Sequence, residues 1–129
     1  MNTKDSKYNF LKKILKNQNI FFASVNLSAK PNLAVAEINK ITDDGKIIIS
    51  HNQMKKTVKN IIGNKQVSLI YTDQKNIWWR ISGEASYDDC GPYYNYVKNL
   101  KTNEGYDVKG AIIIKIKNIK DLNKGKKII

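Results

Sequence analysis

The 129-residue chain has little of what cross-links a fold or binds a metal. It contains one cysteine, Cys90, and one histidine, His51. A single cysteine excludes an intrachain disulfide, and one residue of each type excludes a zinc site of the Cys/His finger kind. No apolar run approaches the roughly 20 residues that a membrane-spanning helix needs. Because the first ten residues are also polar and charged, we expect one cytoplasmic domain without a metal or a membrane partner.

Arginine is scarce, although the chain is strongly basic. The net charge is +12, yet every basic residue except Arg80 is a lysine. Recognition of nucleic acids relies heavily on the forked guanidinium group of arginine, and the lysines are scattered along the chain. We therefore expect no nucleic-acid partner, and a basic barrel that binds nucleic acid is a remote alternative. A small ligand that carries a phosphate is compatible with this charge.

The hydrophobic pattern predicts short strands interrupted by short helices. Apolar residues at helical spacing predict helices over about 5–17, 55–63 and 93–100. Alternating or continuous apolar residues predict strands over 20–27, 32–41, 46–50, 66–72, 77–87 and 111–119. The strands follow each other in meander order, which favours a mainly β fold, a six-stranded antiparallel barrel with helical plugs. We expect one domain over 1–129, with the barrel over about 20–119 and a loosely held tail over 120–129.

Two local patterns are sharper than the rest. Asp43, Asp44 and Gly45 predict a hairpin turn into a strand whose three isoleucines, 47–49, suit burial on both faces. Further along, Trp79, Ile81 and other apolar residues of 77–87 alternate with polar ones. Trp78 is the exception, because it is a large aromatic residue on the polar face.

The segment 50–57 leaves a buried strand and opens a helix. Free backbone N–H groups and the positive end of the helix dipole meet at such a first turn, where they favour an anion. Lys56 would add a positive charge and the hydroxyl group of Thr57 a hydrogen-bond donor, so a phosphate monoester is the expected ligand. The alternative is that Lys55 and Lys56 are solvated and that Thr57 is an ordinary residue of a first turn.

Several short pieces, in this order and spacing, resemble the FMN-binding split barrels that include pyridoxamine 5′-phosphate oxidase. The likeness runs from about Phe21 to Ile116. The pieces are Lys30-Pro31-Asn32, Asp43-Asp44-Gly45-Lys46, Met54-Lys55-Lys56-Thr57, Ile81-Ser82-Gly83-Glu84-Ala85, Gly91-Pro92 with the tyrosines after it, and Lys109-Gly110-Ala111-Ile112.

The resemblance implies a homodimer with FMN at its interface. Lys56 and Thr57, with Lys55 beside them, would bind the FMN phosphate. The isoalloxazine ring would lie against two strand segments, and Trp78 would reach toward the flavin of the partner subunit. The residues of these two segments are Ala34, Val35, Ala36 and Glu37 on one side and Ser50, His51, Asn52, Gln53 and Met54 on the other.

The sequence differs from that of pyridoxamine 5′-phosphate oxidase itself in two respects. The Arg-x-Val-Leu-Leu-Lys strand pattern is missing, and the segment that binds pyridoxal phosphate in that enzyme has no counterpart, so pyridoxamine oxidation is not expected. Neither His51 nor Cys90 lies in a recognised nucleophile motif, and Glu37 is the one acid in the expected site. The chemistry would therefore belong to the cofactor.

Two functions of different classes remain open. The first is an FMN-dependent oxidoreductase that takes electrons from a reduced nicotinamide or a ferredoxin-like donor and reduces a small acceptor. The second is a flavin-binding electron carrier without a dedicated substrate. A deazaflavin-binding reductase is a weaker alternative. No Gly-x-Gly-x-x-Gly fingerprint is present, which argues against a stable dinucleotide site of the Rossmann kind.

Overall fold

A computed structural model describes residues 7–15, 18–52, 54–73 and 75–129 of the protein. In these residues the helices are α1 (Asn9–Leu15), α2 (Lys55–Gly63) and α3 (Pro92–Lys98), with a 3-10 helix over Lys101–Asn103. The strands are β1 (Asn19–Val25), β2 (Pro31–Glu37), β3 (Lys40–Ile41), β4 (Lys46–His51), β5 (Gln66–Thr72), β6 (Trp78–Asp88), β7 (Gly110–Asp121) and β8 (Lys126–Lys127). None of the described helices is long and apolar enough to cross a membrane.

The strands form one curled antiparallel sheet in the order β2-β1-β5-β6-β7-β4-β3, and β8 pairs with β7. This confirms the mainly β, split-barrel fold expected from the sequence. The order is not a simple meander, because β2 and β4 are not hydrogen-bonded neighbours. Instead β1 pairs with β5 and β4 pairs with β7. These two long-range pairings join hairpins that are local in sequence.

The inner face of the sheet is packed with alternate strand residues. Phe22, Leu69, Ile81 and Ile119 lie opposite one another across β1, β5, β6 and β7, and each is at most 2% exposed. Leucines of α1 and Val58 and Ile61 of α2 pack into the same core. The first two helices therefore cover the open side of the barrel with their apolar faces.

Strand β4 is buried on both faces, as its three isoleucines predict. Ile47 and Ile49 lie in the barrel core. Ile48 instead packs with Ile113 and with Val97 of α3 in a second cluster on the outer side. Helix α3 therefore shields this part of the sheet and brings the loop that follows it to the end of β4.

Two segments differ from the sequence-based expectation. The strand expected over 32–41 is divided into β2 and β3 at Ile38 and Asn39. Asn39 is buried and its Oδ1 accepts the N–H of Ser50 at 2.8 Å. At this point the chain leaves β2, which pairs with β1, and enters β3, which pairs with β4. The expected loose tail forms a turn and β8, and the N–H of Ile128 donates to Ile119 at 2.7 Å. The described residues therefore form a sheet of eight strands, whereas six were expected.

Candidate functional site

Three segments that are distant in sequence meet at one groove. They are the end of β2, the end of β4 with the residues after it, and the loop that follows α3. We name this groove, of about 350 Å³, the amide groove; it is lined by Val35, Ala36, Glu37, Ser50, Asn52, Met54, Asn103 and Tyr106. Its volume lies at the lower end of the range of about 300–1,000 Å³ that is typical of small-molecule sites.

A hydrogen-bond network centred on Asn103 organises the amide groove. Asn103 Nδ2 donates to the carbonyl oxygen of Val97 at 2.7 Å, which fixes the orientation of the amide. Its Oδ1 then accepts from Ser50 Oγ at 3.4 Å and from Asn52 Nδ2 at 3.3 Å. Because Asn52 uses its amide nitrogen in this network, its Oδ1 is left as an acceptor.

The Oδ1 atom of Asn52 is buried and has no hydrogen-bond partner among the residues that the structure describes. A buried acceptor without a donor loses the hydrogen bonds that it makes to water in the unfolded chain, which costs about 1–3 kcal/mol. An N–H or O–H group of a bound ligand would remove this cost. Because Asn52 lines the amide groove, the groove favours a ligand with a hydrogen-bond donor on its edge.

His51 does not line the amide groove, although it lies between two residues that do. Its side chain is 6% exposed, and Nδ1 lies 2.7 Å from the hydroxyl oxygen of Tyr87. Burial and the nearby charge of Lys109 hold the pKa of His51 below its ordinary value of 6.5. This geometry supports a neutral, structural histidine, and it does not bring His51 to the groove where the ring was expected.

The first turn of α2 is open to an anion. The residue before the helix is Met54, whose side chain makes no capping hydrogen bond, so the first N–H groups receive no side-chain acceptor from it. Lys55 and Lys56 are exposed at this turn, whereas Thr57 is buried. Thr57 Oγ1 accepts a hydrogen bond from Asn32 Nδ2 at 3.0 Å, which ties the helix to β2.

A second groove runs along α2 from this turn. We name this groove, of about 600 Å³, the lysine groove; it is lined by Asn26, Leu27, Ser28, Lys55, Lys56, Lys59, Asn60 and Gly63. Met54 lines the amide groove and Lys55 lines the lysine groove. Consecutive residues at the start of α2 therefore line the two grooves. The amide groove contains the residues expected at the isoalloxazine ring, and the lysine groove contains the lysines expected at the phosphate.

Eight of the thirteen expected site residues line one of the two grooves, whereas His51 and Thr57 line neither. Ala34 lies in β2 but does not line the amide groove. Trp78 is 41% exposed at the start of β6, which is separated from β2 by β1 and β5. Gln53 lies outside the described residues. No group of three or more potential metal ligands occurs in the part of the chain that the structure describes.

Asn103 and Tyr106 are the lining residues that sequence reasoning missed. They lie in the polar segment after α3, where Asn103 ends the short 3-10 helix. This segment has no hydrophobic period, so its sequence predicts only a loop. Asn103 is nevertheless 7% exposed. A polar residue becomes this buried only when the fold supplies its hydrogen-bond partners, and here those partners come from α3 and β4.

The family model of pyridoxamine 5′-phosphate oxidase matches residues 9–121, which is most of the chain. The chain belongs to the pyridoxamine 5′-phosphate oxidase family. This confirms the resemblance stated from the short sequence pieces. Another similar chain is the uncharacterized protein MJ0282 of Methanocaldococcus jannaschii, which is 32% identical over 117 residues that cover 88% of this chain and 78% of that protein.

Solved structures share the fold of this oxidase-family chain. HupZ of Group A Streptococcus has a TM-score of 0.83 at 24% identity and covers 94% of this chain and 98% of its own. An FMN-binding protein of Syntrophomonas wolfei has a TM-score of 0.67 at 19% identity, with 88% and 87% covered. A heme storage protein of Vibrio cholerae and an F420 reductase have TM-scores of 0.65 and 0.64. At these identities the likeness shows the fold alone.

Proposed function

We propose that the protein binds FMN, with the isoalloxazine ring in the amide groove and the phosphate at the first turn of α2. The observation that carries this proposal is that two consecutive residues, Met54 and Lys55, line the two grooves. One side offers strand backbone and an unpaired amide oxygen, and the other offers two lysines and uncapped N–H groups. A ligand with a flat polar ring at one end and a phosphate at the other would match these two groups of residues.

On the ring side, the residues present fit a flavin. The pyrimidine edge of isoalloxazine carries an imide N–H between two carbonyl groups, and Asn52 Oδ1 is an unpaired acceptor. Val35 and Ala36 supply apolar contact from the edge strand β2. The chain would bind and orient the ring and exclude water from it. When bound, FMN supplies the oxidation and reduction chemistry.

On the phosphate side, Lys55 and Lys56 supply charge and the start of α2 supplies N–H donors. Charge-assisted hydrogen bonds of this kind are stronger than neutral ones. Thr57 already accepts from Asn32, so a contact between its hydroxyl group and the phosphate stays a prediction.

The outer face of the sheet supports a homodimer. By the strand register, Val35, Phe21, Ile70 and Arg80 lie opposite one another on β2, β1, β5 and β6, and Trp78 lies on the same face as Arg80. Phe21 is 48% exposed, and Leu33, on this face of β2, is 68% exposed. Exposed apolar groups that adjoin in this way are typical of an interface.

A second copy packed on this face would also complete the ligand site. Val35 belongs both to the exposed face and to the lining of the amide groove, so a chain covering the face would reach the groove. The partner subunit's Trp78 is the large aromatic residue expected to lie near the ring. Arg80 and Ser82 share the face of Trp78 and would form part of the same interface.

We propose that the bound flavin accepts electrons from a reduced nicotinamide or a ferredoxin-like donor in the cytoplasm and passes them to a small acceptor. Among the described residues that line the amide groove, Glu37 is the only acid, and His51 lies outside the groove. Acid–base catalysis by side chains is therefore a weak explanation of the site. An electron carrier without a substrate is the second candidate, because the same site would serve it.

The absorbance spectrum of the purified protein is the first test. A flavin spectrum, and uptake of FMN in preference to riboflavin by the flavin-free protein, would support the proposal. A heme or deazaflavin spectrum would contradict it. Steady-state oxidation of NADH or NADPH with candidate acceptors then separates the two functions, because a carrier shows no saturable turnover.

A further inference from the structure

The lysine groove lies in a part of the chain that lacks acidic residues. No aspartate or glutamate occurs over 6–36 or over 45–72, and these two stretches supply every residue that lines the groove. The acids of the chain lie elsewhere, mainly in turns. The positive charge of the groove is therefore not balanced by its own walls.

The groove extends past the first turn of α2. Lys59 lies four residues after Lys55 on the same side of the helix, about 6 Å further along the axis. The opposite wall is the turn between β1 and β2. A Cβ atom at Gly63 would lie 3.3 Å from Leu27 Cγ, so the helix and the turn are in close contact at the far end.

The walls of the groove are held in place by hydrogen bonds that do not involve the lysines. Asn26 Oδ1 accepts the N–H groups of Ser28 and Lys30 at 2.8 and 2.9 Å, which closes the turn. Asn60 is 4% exposed, and its Nδ2 donates to Ser24 Oγ at 3.2 Å. This bond joins the middle of α2 to β1. The groove is thus formed before any ligand binds.

The three lysines are close in sequence and have the same charge, and none forms an ion pair among the described residues. Like charges one turn apart destabilise a helix by a few tenths of a kcal/mol, and an anion would remove that repulsion. A single phosphate at the first turn accounts for Lys55 and Lys56. It leaves Lys59 and the rest of the groove without a role.

We propose that the lysine groove binds a second anionic group, attached to the ligand beyond the first phosphate. The inference rests on the proposed flavin site and deepens it. The ligand class is then a flavin whose chain continues past the monophosphate, such as a diphosphate. The first phosphate contacts the start of α2, and the second group contacts Lys59.

The test compares FMN with riboflavin 5′-diphosphate, which differs from it by one phosphate. We expect the flavin-free protein to bind the diphosphate about fivefold more tightly than FMN, as one exposed ion pair allows. Lys59→Ala should remove this advantage and leave the affinity for FMN within about twofold. Lys65→Ala is the matched control, because Lys65 is an exposed lysine outside the groove and its loss should leave the advantage intact.

Each other outcome overturns the inference in a recognisable way. If FMN binds and the diphosphate binds no more tightly, the second subsite does not exist and the FMN proposal stands. If neither ligand binds, both proposals fall. Sub-micromolar binding of duplex DNA in about 0.15 M salt that is lost in Lys59→Ala would make the groove a nucleic-acid surface instead.

Discussion

The imidazole of His51 and the phenol of Tyr87 are hydrogen-bonded inside the end of the barrel, with Nδ1 2.7 Å from Oη. His51 lies opposite Gly110 in the register of β4 and β7. A Cβ atom at Gly110 would lie 2.4 Å from the ring of Tyr87, so only glycine lets the tyrosine reach the histidine there. The pair is partly sheltered from water, which explains why burial is the main cause of the lowered pKa of His51.

This pair predicts a loss of stability at mildly acid pH. The pKa of His51 lies below 6.5 in the folded state, so the unfolded chain takes up a proton first as the pH falls through about 6.5. The free energy of unfolding should therefore be lower at pH 5.5 than at pH 7.5. His51→Gln should reduce this pH dependence when denaturant unfolding is measured at both values. An equal pH dependence in both proteins would show that another group is responsible.

Lys56→Ala should weaken the binding of FMN by at least about tenfold and leave riboflavin binding nearly unchanged. The reason is that a charge-assisted hydrogen bond to phosphate contributes about 1.5–3 kcal/mol, and riboflavin has no phosphate. Quenching of flavin fluorescence measures both affinities. Lys13→Ala on α1 is the control, because Lys13 is exposed and lines neither groove. Equal losses for both ligands would place the phosphate elsewhere.

Asn103→Ala should instead weaken FMN and riboflavin by similar factors, of about tenfold. Its loss removes the acceptor of Ser50 and Asn52 and leaves two partly buried donors unpaired, which costs about 1–3 kcal/mol. Part of this cost will lower the thermal midpoint, which should be measured beside the affinities. Asn99→Ala, an exposed position after α3, should change neither quantity. If only the affinity for FMN fell, the Asn103 network would not be what holds the residues that contact the ring.

Leu33→Glu and Phe21→Glu should each convert a homodimer into a monomer. Both side chains lie on the exposed face of β1 and β2, and burial of a carboxylate without a partner in an apolar interface is strongly unfavourable. Light scattering should give twice 14.8 kDa for the wild type and about 14.8 kDa for the variants. Ile62→Glu is the matched control, because Ile62 is 70% exposed on α2, away from this face. A monomeric wild type with flavin bound would refute the interface.

Part of the site could be predicted from the sequence, because the helix and the turn that form it depend on residues that are close together in the chain. Helix α2 begins at Lys55 and ends at Gly63 as predicted, since its apolar period and its terminal glycine are local signals. The hairpin at Gly45, which has a φ of 85°, is local in the same way. The resemblance added Val35, Ala36, Glu37 and the segment after β4, and the structure brings most of these residues to one groove.

The amino-acid sequence by itself determined the curled mainly β fold, the family and the start of α2, because periodicity and turn chemistry act over a few residues. Only the tertiary structure decided that β1 pairs with β5 and β4 with β7, since many strands of similar composition compete for each edge. It also decided that Asn103 orients Asn52 and that Met54 and Lys55 line two different grooves. These relationships join residues as distant in sequence as Lys46 of β4 and Lys115 of β7, and no local pattern specifies which distant partner satisfies a buried amide.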